Sequence, residues 1–384
     1  MVTIYRQLQV GKSARGIRSI CFVAPWAYPT LVRDASVKVV GGSEVQQTIL
    51  AREFVRRGYQ VSMVCLDYGQ REGMEVDGVT IYKAYKTGLE APKIGTLGVI
   101  KSIWKAMAKA NADLYYQQNC SAFTGYVASY ARLNGKLAMY CGASDEDFVR
   151  NLPRLHRKKE KFFFRLGLRL ASAIIAQSER QVAACQDSFG LKSEVIRSCY
   201  GHQGALSNQD GVVLWSGRLA KIKRPDLFVE LAKRCPEFRF RMVGGGEPEL
   251  TRALNEQAAG LSNIDLLGFV PYAEVEQYFD DASVIVNTSP SEGFPNTFLQ
   301  GWSRGMPSLS FFDPAAKVNG RPVGVVVEDM EQMAAELRRL KNDLPHWQQH
   351  SADSKVFFSG NFALDHVADE YESLFRRLSF ERTK

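Results

Sequence analysis

The chain has 384 residues, of which 45% are apolar and 23% charged, with a formal net charge of +8. That length exceeds one ordinary hydrophobic core and predicts two domains, while the composition excludes a largely disordered chain. No apolar run approaches the roughly 20 residues of a membrane-spanning helix. The seven cysteines, an odd number with no C-x-x-C pair, read as free thiols of a reducing cytoplasm.

The first sixteen residues are basic and polar without the apolar core of a secretory signal, which predicts a loose arm. From Ile17, strand-like segments at 17–24, 60–66, 79–84, 112–117, 136–141, 173–177 and 194–198 alternate with helical patterns. In one such helix, Glu44–Arg57, the residues Val45, Ile49, Leu50 and Phe54 share a side. The loop Gly41-Gly42-Ser43-Glu44 enters it. Paired glycines let backbone approach a ligand, and the helix start offers unpaired N–H groups and a positive dipole end.

Between Arg150 and Arg169 stand eight basic residues against one acid, Glu160, interleaved with Phe162, Phe163, Phe164, Leu166 and Leu168. A basic helix with an aromatic cluster over 150–170 suits an anionic membrane surface. An ordinary amphipathic helix gives the same pattern, and exposure of the phenylalanines separates the two. No nucleic-acid motif accompanies the charge, so nucleic acid is not an expected partner. Around residues 201–211 the apolar pattern lapses into small polar residues, as a linker does.

Alternation then resumes, with strands at 212–215, 239–243, 264–267, 284–287, 308–312 and 323–327 and helices such as 225–233 and 248–259. Two strand–helix series predict an α/β fold of two doubly wound, Rossmann-like domains facing a cleft. The expected limits are 1–205 and 206–360. A last helical segment, 361–384, with Val367, Tyr371, Leu374, Phe375 and Leu378 in register, is expected to pack back on the first domain.

Three loops of the second half carry the chemistry. In Gly217-Arg218-Leu219-Ala220-Lys221-Ile222-Lys223, Arg218 offers a planar fork and Lys223 a mobile point charge to phosphate. In Gly244-Gly245-Gly246, three small residues are expected to keep side chains out of a crevice. The third comes after the apolar run 282–289. There Glu292 and Gly293 precede Pro295 and a helix with Phe298, Leu299 and Trp302 on its apolar side. A strand ending in an acid and a glycine and feeding a helix start is a common way to build a polar ligand site. Elsewhere, Asp145-Glu146-Asp147 reads as an acidic loop rather than a metal site. His346 and His350 lack the glutamate of a zinc protease and are expected on the surface.

Taken in order, these loops resemble the retaining glycosyltransferases of family 4, which have the GT-B architecture, in their bacterial polysaccharide-biosynthesis type. The resemblance covers nearly the whole chain and is strongest over 211–307. It implies that Glu292 contacts hydroxyls of a donor sugar, that Arg218 and Lys223 bind its diphosphate, and that amides near Gly293 and Phe294 assist. Gly41 and Gly42 would close over the same phosphates from the other domain, and Gly217, Gly244, Gly245 and Asn296 would line the donor site. The family's second acid, a ribose ligand, is here Gln300, which keeps an acceptor oxygen but no charge. The family's histidine–aspartate pair is here Ser144 and Asp145, of which Asp145 remains a catalytic candidate.

The resemblance further implies a cytoplasmic hexosyltransferase, peripheral on the inner face of the membrane. It would move sugar with retention from a nucleotide-diphosphate donor to a saccharide or polyprenyl-diphosphate-linked acceptor, in exopolysaccharide or lipopolysaccharide assembly. Neither metal nor cofactor is expected. A sugar-nucleotide epimerase and a non-catalytic sugar-nucleotide-binding subunit stand as alternatives.

Overall fold

Eight strands of the first half form one sheet: β1 (Ser19–Val23), β2 (Gln60–Cys65), β3 (Met74–Val76), β4 (Val79–Lys83), β5 (Leu114–Gln118), β6 (Leu137–Cys141), β7 (Ala173–Ala176) and β8 (Glu194–Val195). Their order is β3-β4-β2-β1-β5-β6-β7-β8, parallel throughout except for the β3–β4 pair. The computed structural model describes residues 16–34, 41–88, 94–201, 204–292 and 294–381. A second, parallel sheet holds β9 (Val212–Ser216), β10 (Phe240–Val243), β11 (Ile264–Leu266), β12 (Ala282–Asn287) and β13 (Ser308–Ser310). After the short hairpin β14 (Lys317–Val318) and β15 (Arg321–Pro322), β16 (Val325–Val326) closes its edge in the order β11-β10-β9-β12-β13-β16.

The apolar sequences of β1 and β12 are buried at nearly every position, as strands covered on both faces must be. In the first sheet β1 has β2 on one side and β5 on the other; in the second, β9 lies between β10 and β12. The order in which strands are added reverses at these two places, and the crevice outside the carboxyl ends there is where open α/β sheets hold ligands.

The chain passes between the sheets twice. Tyr200 and Ala363 form a parallel bridge, with Tyr200 N donating to Phe362 O at 3.0 Å. Helix Leu364–Glu381 then sends Val367, Tyr371, Leu374, Phe375 and Leu378 into the first sheet's core beside Phe22 and Phe54. Of the expected linker, His202 and Gln203 lie outside the described residues, as does the amino-terminal arm through Arg15.

The basic segment forms helix Lys158–Leu170, packed on helix Phe123–Leu133 at backbone contact. A Cβ at Gly125 would lie 2.8 Å from the Phe163 carbonyl carbon, and one at Gly167 2.6 Å from Gly125 N. The phenylalanine cluster therefore divides: Phe164 is fully buried, Phe163 is half-buried, and Phe162 is 62% exposed.

One expectation is corrected. His346 and His350 are not surface residues but half-buried on helix Leu344–Asn361, ring centroids 4.7 Å apart. His346 Nε2 lies 3.6 Å from Glu336, and the buried His350 Nδ1 has no hydrogen-bond partner among the described residues. The helix buries Asp353 and Ser354 along with Trp347 and Phe358, so its inward face carries little apolar signature.

This packing has two measurable outcomes. Gly167→Ala should lower stability by about 1–3 kcal/mol through overpacking, read as a drop in the urea midpoint at unchanged slope. Burial, with neighbouring His346, depresses the proton affinity of His350. Its folded pKa lies below the unfolded one, so its stabilising effect is present above the unfolded pKa and lost as pH falls through the folded value. The melting temperature should decline on acidification below about pH 6.5, and His350→Gln should flatten that part of the profile.

Candidate functional site

Strand β9 ends at Ser216, and the chain turns through Gly217 and Arg218 into a 3-10 helix at Lys221–Lys223. Strand β12, its neighbour, ends at Asn287. Trp215 Nε1 donates to Thr288 Oγ1 at 3.0 Å, and Thr288 Oγ1 donates in turn to Lys223 O at 2.7 Å. These bonds bring the far end of the β9 loop over the end of β12. Arg224 completes the turn at φ 48°, with its guanidinium 4.9 Å from the centre of the Phe311 ring.

This folding brings the Lys223 ammonium onto Glu292 Oε1 as an ion pair. Ser289 Oγ donates to the same oxygen at 2.7 Å, and Ser289 N is held by Asn287 Oδ1 at 2.9 Å. Both charged groups are largely shielded yet reachable, Lys223 being 31% and Glu292 15% exposed. Arg218, on the same loop, is exposed and has no side-chain partner among the described residues. One cation is thus engaged by the acid and the other is open.

The glycines serve two different ends. A Cβ at Gly42 would stand 2.9 Å from Asn296 Nδ2, so the starts of helices Gly42–Arg56 and Asn296–Ser303 face each other between the domains. Their free N–H groups and dipole ends add positive potential to that of Lys223 and Arg218. Gly41 is exposed beside Glu44, whose carboxylate accepts from Ser43 Oγ at 2.9 Å. Asn119 Nδ2, just past β5, donates to Ser43 Oγ at 2.5 Å.

Gly244, Gly245 and Gly246, by contrast, do not simply clear a crevice. A Cβ would lie 3.0 Å from Gly217 C at Gly244, 2.7 Å from Phe269 Cβ at Gly245, and 2.8 Å from Leu219 C at Gly246. The three glycines let the β10 loop lie against the β9 loop, where Leu219 N donates to Gly245 O at 2.9 Å. Their first effect is to position Gly217 and Arg218.

Other candidates are placed less simply. Gly293 lies outside the described residues. The Phe294 ring stacks on Phe362 at 4.8 Å and meets Trp302 edge-on, so its side chain belongs to the core. Gln300 is buried, and its Nε2 donates to Glu276 Oε1 at 2.9 Å. Only the amide oxygen is left to accept a further bond. Glu276 also takes Tyr200 OH and, at 3.1 Å, the fully buried Arg304, whose Nε bonds Asp280 at 2.8 Å. Nothing local in the sequence marks Glu276 or Arg304, since each looks like an ordinary charge in a polar segment.

Asp145 opens a 3-10 helix, Asp145–Phe148, after β6. It forms an ion pair with Arg180 and accepts from Gln181 Nε2 at 3.0 Å. The buried acid of this loop is Asp147, which accepts from Ala143 N at 2.8 Å, Tyr140 OH at 3.2 Å and Ser144 Oγ at 3.2 Å. Burial raises its pKa despite those bonds. Ser144 also receives Arg154 at 3.2 Å. No bond among the described residues joins Asp145 to the Lys223–Glu292 pair.

Two family models match the two halves in order: glycosyltransferase family 4 over residues 40–200, and glycosyl transferases group 1 over 210–343. An uncharacterized glycosyltransferase of Haemophilus influenzae is 23% identical over 351 residues, 87% of this chain and 96% of that protein. The O-antigen biosynthesis glycosyltransferase WbnH of Escherichia coli is 28% identical over 168 residues, 42% of this chain and 46% of its own length. Among solved structures, the fold is shared with sucrose-phosphate synthase of Thermosynechococcus elongatus (TM-score 0.73, 16% identity, 94% of this chain and 99% of that one). It is also shared with HepE of Anabaena, solved with UDP-glucose (TM-score 0.66, 14% identity, 94% and 99%).

The ion pair has a measurable consequence. While Glu292 holds Lys223, the ammonium is not free for an incoming anion. Glu292→Gln should therefore tighten binding of inorganic pyrophosphate about fivefold, ~1 kcal/mol, by titration calorimetry.

Proposed function

Because the chain belongs to the family 4 type of glycosyltransferases with the GT-B fold, we propose that it moves a hexose from a nucleotide-diphosphate sugar to a saccharide acceptor, with retention of anomeric configuration. The observation that carries this reading is the Lys223–Glu292 pair at the β9/β12 crevice, on the domain whose Asn296 faces Gly42. Breaking the bond between the sugar's anomeric carbon and the diphosphate leaves negative charge on phosphate oxygens. Stabilising that charge is the main task.

Arg218 is open to it. Lys223 can turn to it once a sugar hydroxyl takes its place on Glu292, and the two facing helix starts supply N–H donors. The acceptor hydroxyl then attacks the anomeric carbon from the face the diphosphate leaves. A diphosphate oxygen takes the hydroxyl proton as the new glycosidic bond forms. No step is assigned to a metal or cofactor. Asp145, tied to Arg180 and Gln181, is given the role of fixing the loop on the acceptor side of the crevice.

We assign residues 1–205 to acceptor binding, 206–360 to donor binding, and 361–384 to the return helix. The acceptor is taken to be a saccharide on a polyprenyl diphosphate, presented at the cytoplasmic face of the membrane during surface-polysaccharide assembly. Three observations support this: the basic helix Lys158–Leu170, the exposed Phe162 at its surface, and the likeness to a protein named for O-antigen biosynthesis. Among the described residues no helix is long and apolar enough to cross a membrane.

Glu292→Ala and Arg218→Ala should each cut acceptor-dependent donor turnover at least tenfold, about 1.4 kcal/mol or more. Wild-type rates in both variants, or turnover indifferent to acceptor, would defeat the reading. Phe162→Ser should weaken co-sedimentation with phosphatidylglycerol vesicles without moving the melting temperature. Unchanged sedimentation removes the membrane from the account.

A further inference from the structure

Every residue from Ile20 to Ala27 is buried except Trp26, which is 52% exposed. The turn that carries it is firmly held: Ala27 N donates to Ala24 O at 3.0 Å, and Leu66 N donates to Pro25 O at 2.9 Å. The indole is steadied edge-on by Phe123, with centroids 5.8 Å apart and planes at 73°. Phe123 is itself buried and meets Tyr126 edge-on at 5.8 Å. Alongside, Tyr28 and Tyr68 stack at 5.5 Å, and Tyr68 is exposed. Leaving half of so large an apolar side chain in water forgoes favourable burial, yet the surroundings fix it outward.

The location narrows the ligand. Trp26 follows β1 at its carboxyl end, at the β1/β5 crevice of the first sheet. The loop after β5 supplies the Asn119 amide, bonded to Ser43 Oγ at the start of the helix whose Gly42 faces Asn296. Glu44, in that helix's first turn, has a carboxylate with no ion-pair partner among the described residues. A flat aromatic face with amide, hydroxyl and carboxylate groups on the neighbouring loops is complementary to a pyranose. One face of such a ring presents C–H bonds with partial positive charge to the negative face of an indole, and its rim presents hydroxyls.

We propose that Trp26 is the platform on which the acceptor's terminal sugar stacks, an assignment that rests on the transferase reading above. A membrane-inserting role fits less well. The aromatic series Trp26, Phe123, Tyr126, Phe163, Phe162 is continuous, but its basic surroundings are at the Phe162 end. Trp26 stands at the ligand edge of the sheet.

Saturation-transfer NMR with a panel of methyl hexopyranosides reads this site without turnover. The wild-type chain should transfer saturation to the C–H protons of at least one glycoside. Trp26→Ala should lose at least three-quarters of that signal, and Trp26→Phe should keep most of it. Thermal shifts given by nucleotide sugars should be equal in all three proteins, which separates this site from the donor site and reports intact folding. In the transfer assay, Trp26→Ala should raise the acceptor KM at least tenfold. A wild-type chain showing no transfer to any glycoside, or a Trp26→Ala variant retaining the full signal, overturns the platform. So does loss of binding to vesicles of phosphatidylglycerol and phosphatidylethanolamine in Trp26→Ala with sugar contacts unchanged, which would assign the indole to the membrane. If no nucleotide sugar binds the wild type, the transferase reading fails while the glycoside spectra still decide the role of Trp26.

Discussion

The arrangement of the second domain turns on one contact between unlike charges, the ammonium of Lys223 on the carboxylate of Glu292. It ties together two loops that leave adjacent strands, and it depends on the relay from Trp215 through Thr288 to the Lys223 carbonyl. In an apolar setting an acid and a base this close would be a structural clasp and little more. Here both are partly open to solvent at the carboxyl edge of a parallel sheet, so an arriving ligand with anionic and hydroxyl groups can divide the pair between them. A bound nucleotide sugar offers both kinds of group. The pair is then best seen as a resting state in which each half keeps the other in place.

The same logic explains the glycines. Gly42 has no side chain because the amide of Asn296 stands where one would go, whereas the three glycines after β10 are small because the β9 loop lies on them. The first is a demand made by the opposite domain, the second by the local backbone. Together they set how closely the two halves approach and where Arg218 sits.

Much of this was legible from sequence, and the reasons are local. The run from Ala282 is β-branched and apolar along its length, so a covered strand was evident, and Glu292 and Pro295 marked the loop and helix after it. Val367, Tyr371, Leu374 and Phe375 repeat at helical spacing, so the last helix was evident too. What escaped was set by partners distant in the chain. Helix Leu344–Asn361 sets His346 beside Glu336 and His350 against His346, Asp353 pairs with Arg321, and Gln300 is occupied by Glu276. No periodicity announces a polar residue that is buried because its counterpart comes from another element. The partner of Asp145 was hidden in the same way, since Arg180 comes from a helix after the next strand.

The two passages of the chain between domains run side by side, joined by the bridge from Tyr200 to Ala363. Bodies linked by one strand can swivel and twist freely, but a doubled strap resists twisting and leaves bending about its own line as the easy motion. Tyr200 sits on that line with its hydroxyl on Glu276, which in turn grips Gln300 on the helix that begins at Asn296. The strap is therefore tied through Tyr200 and Glu276 to the floor of the crevice, so a bend at the strap would be felt where that helix is seated.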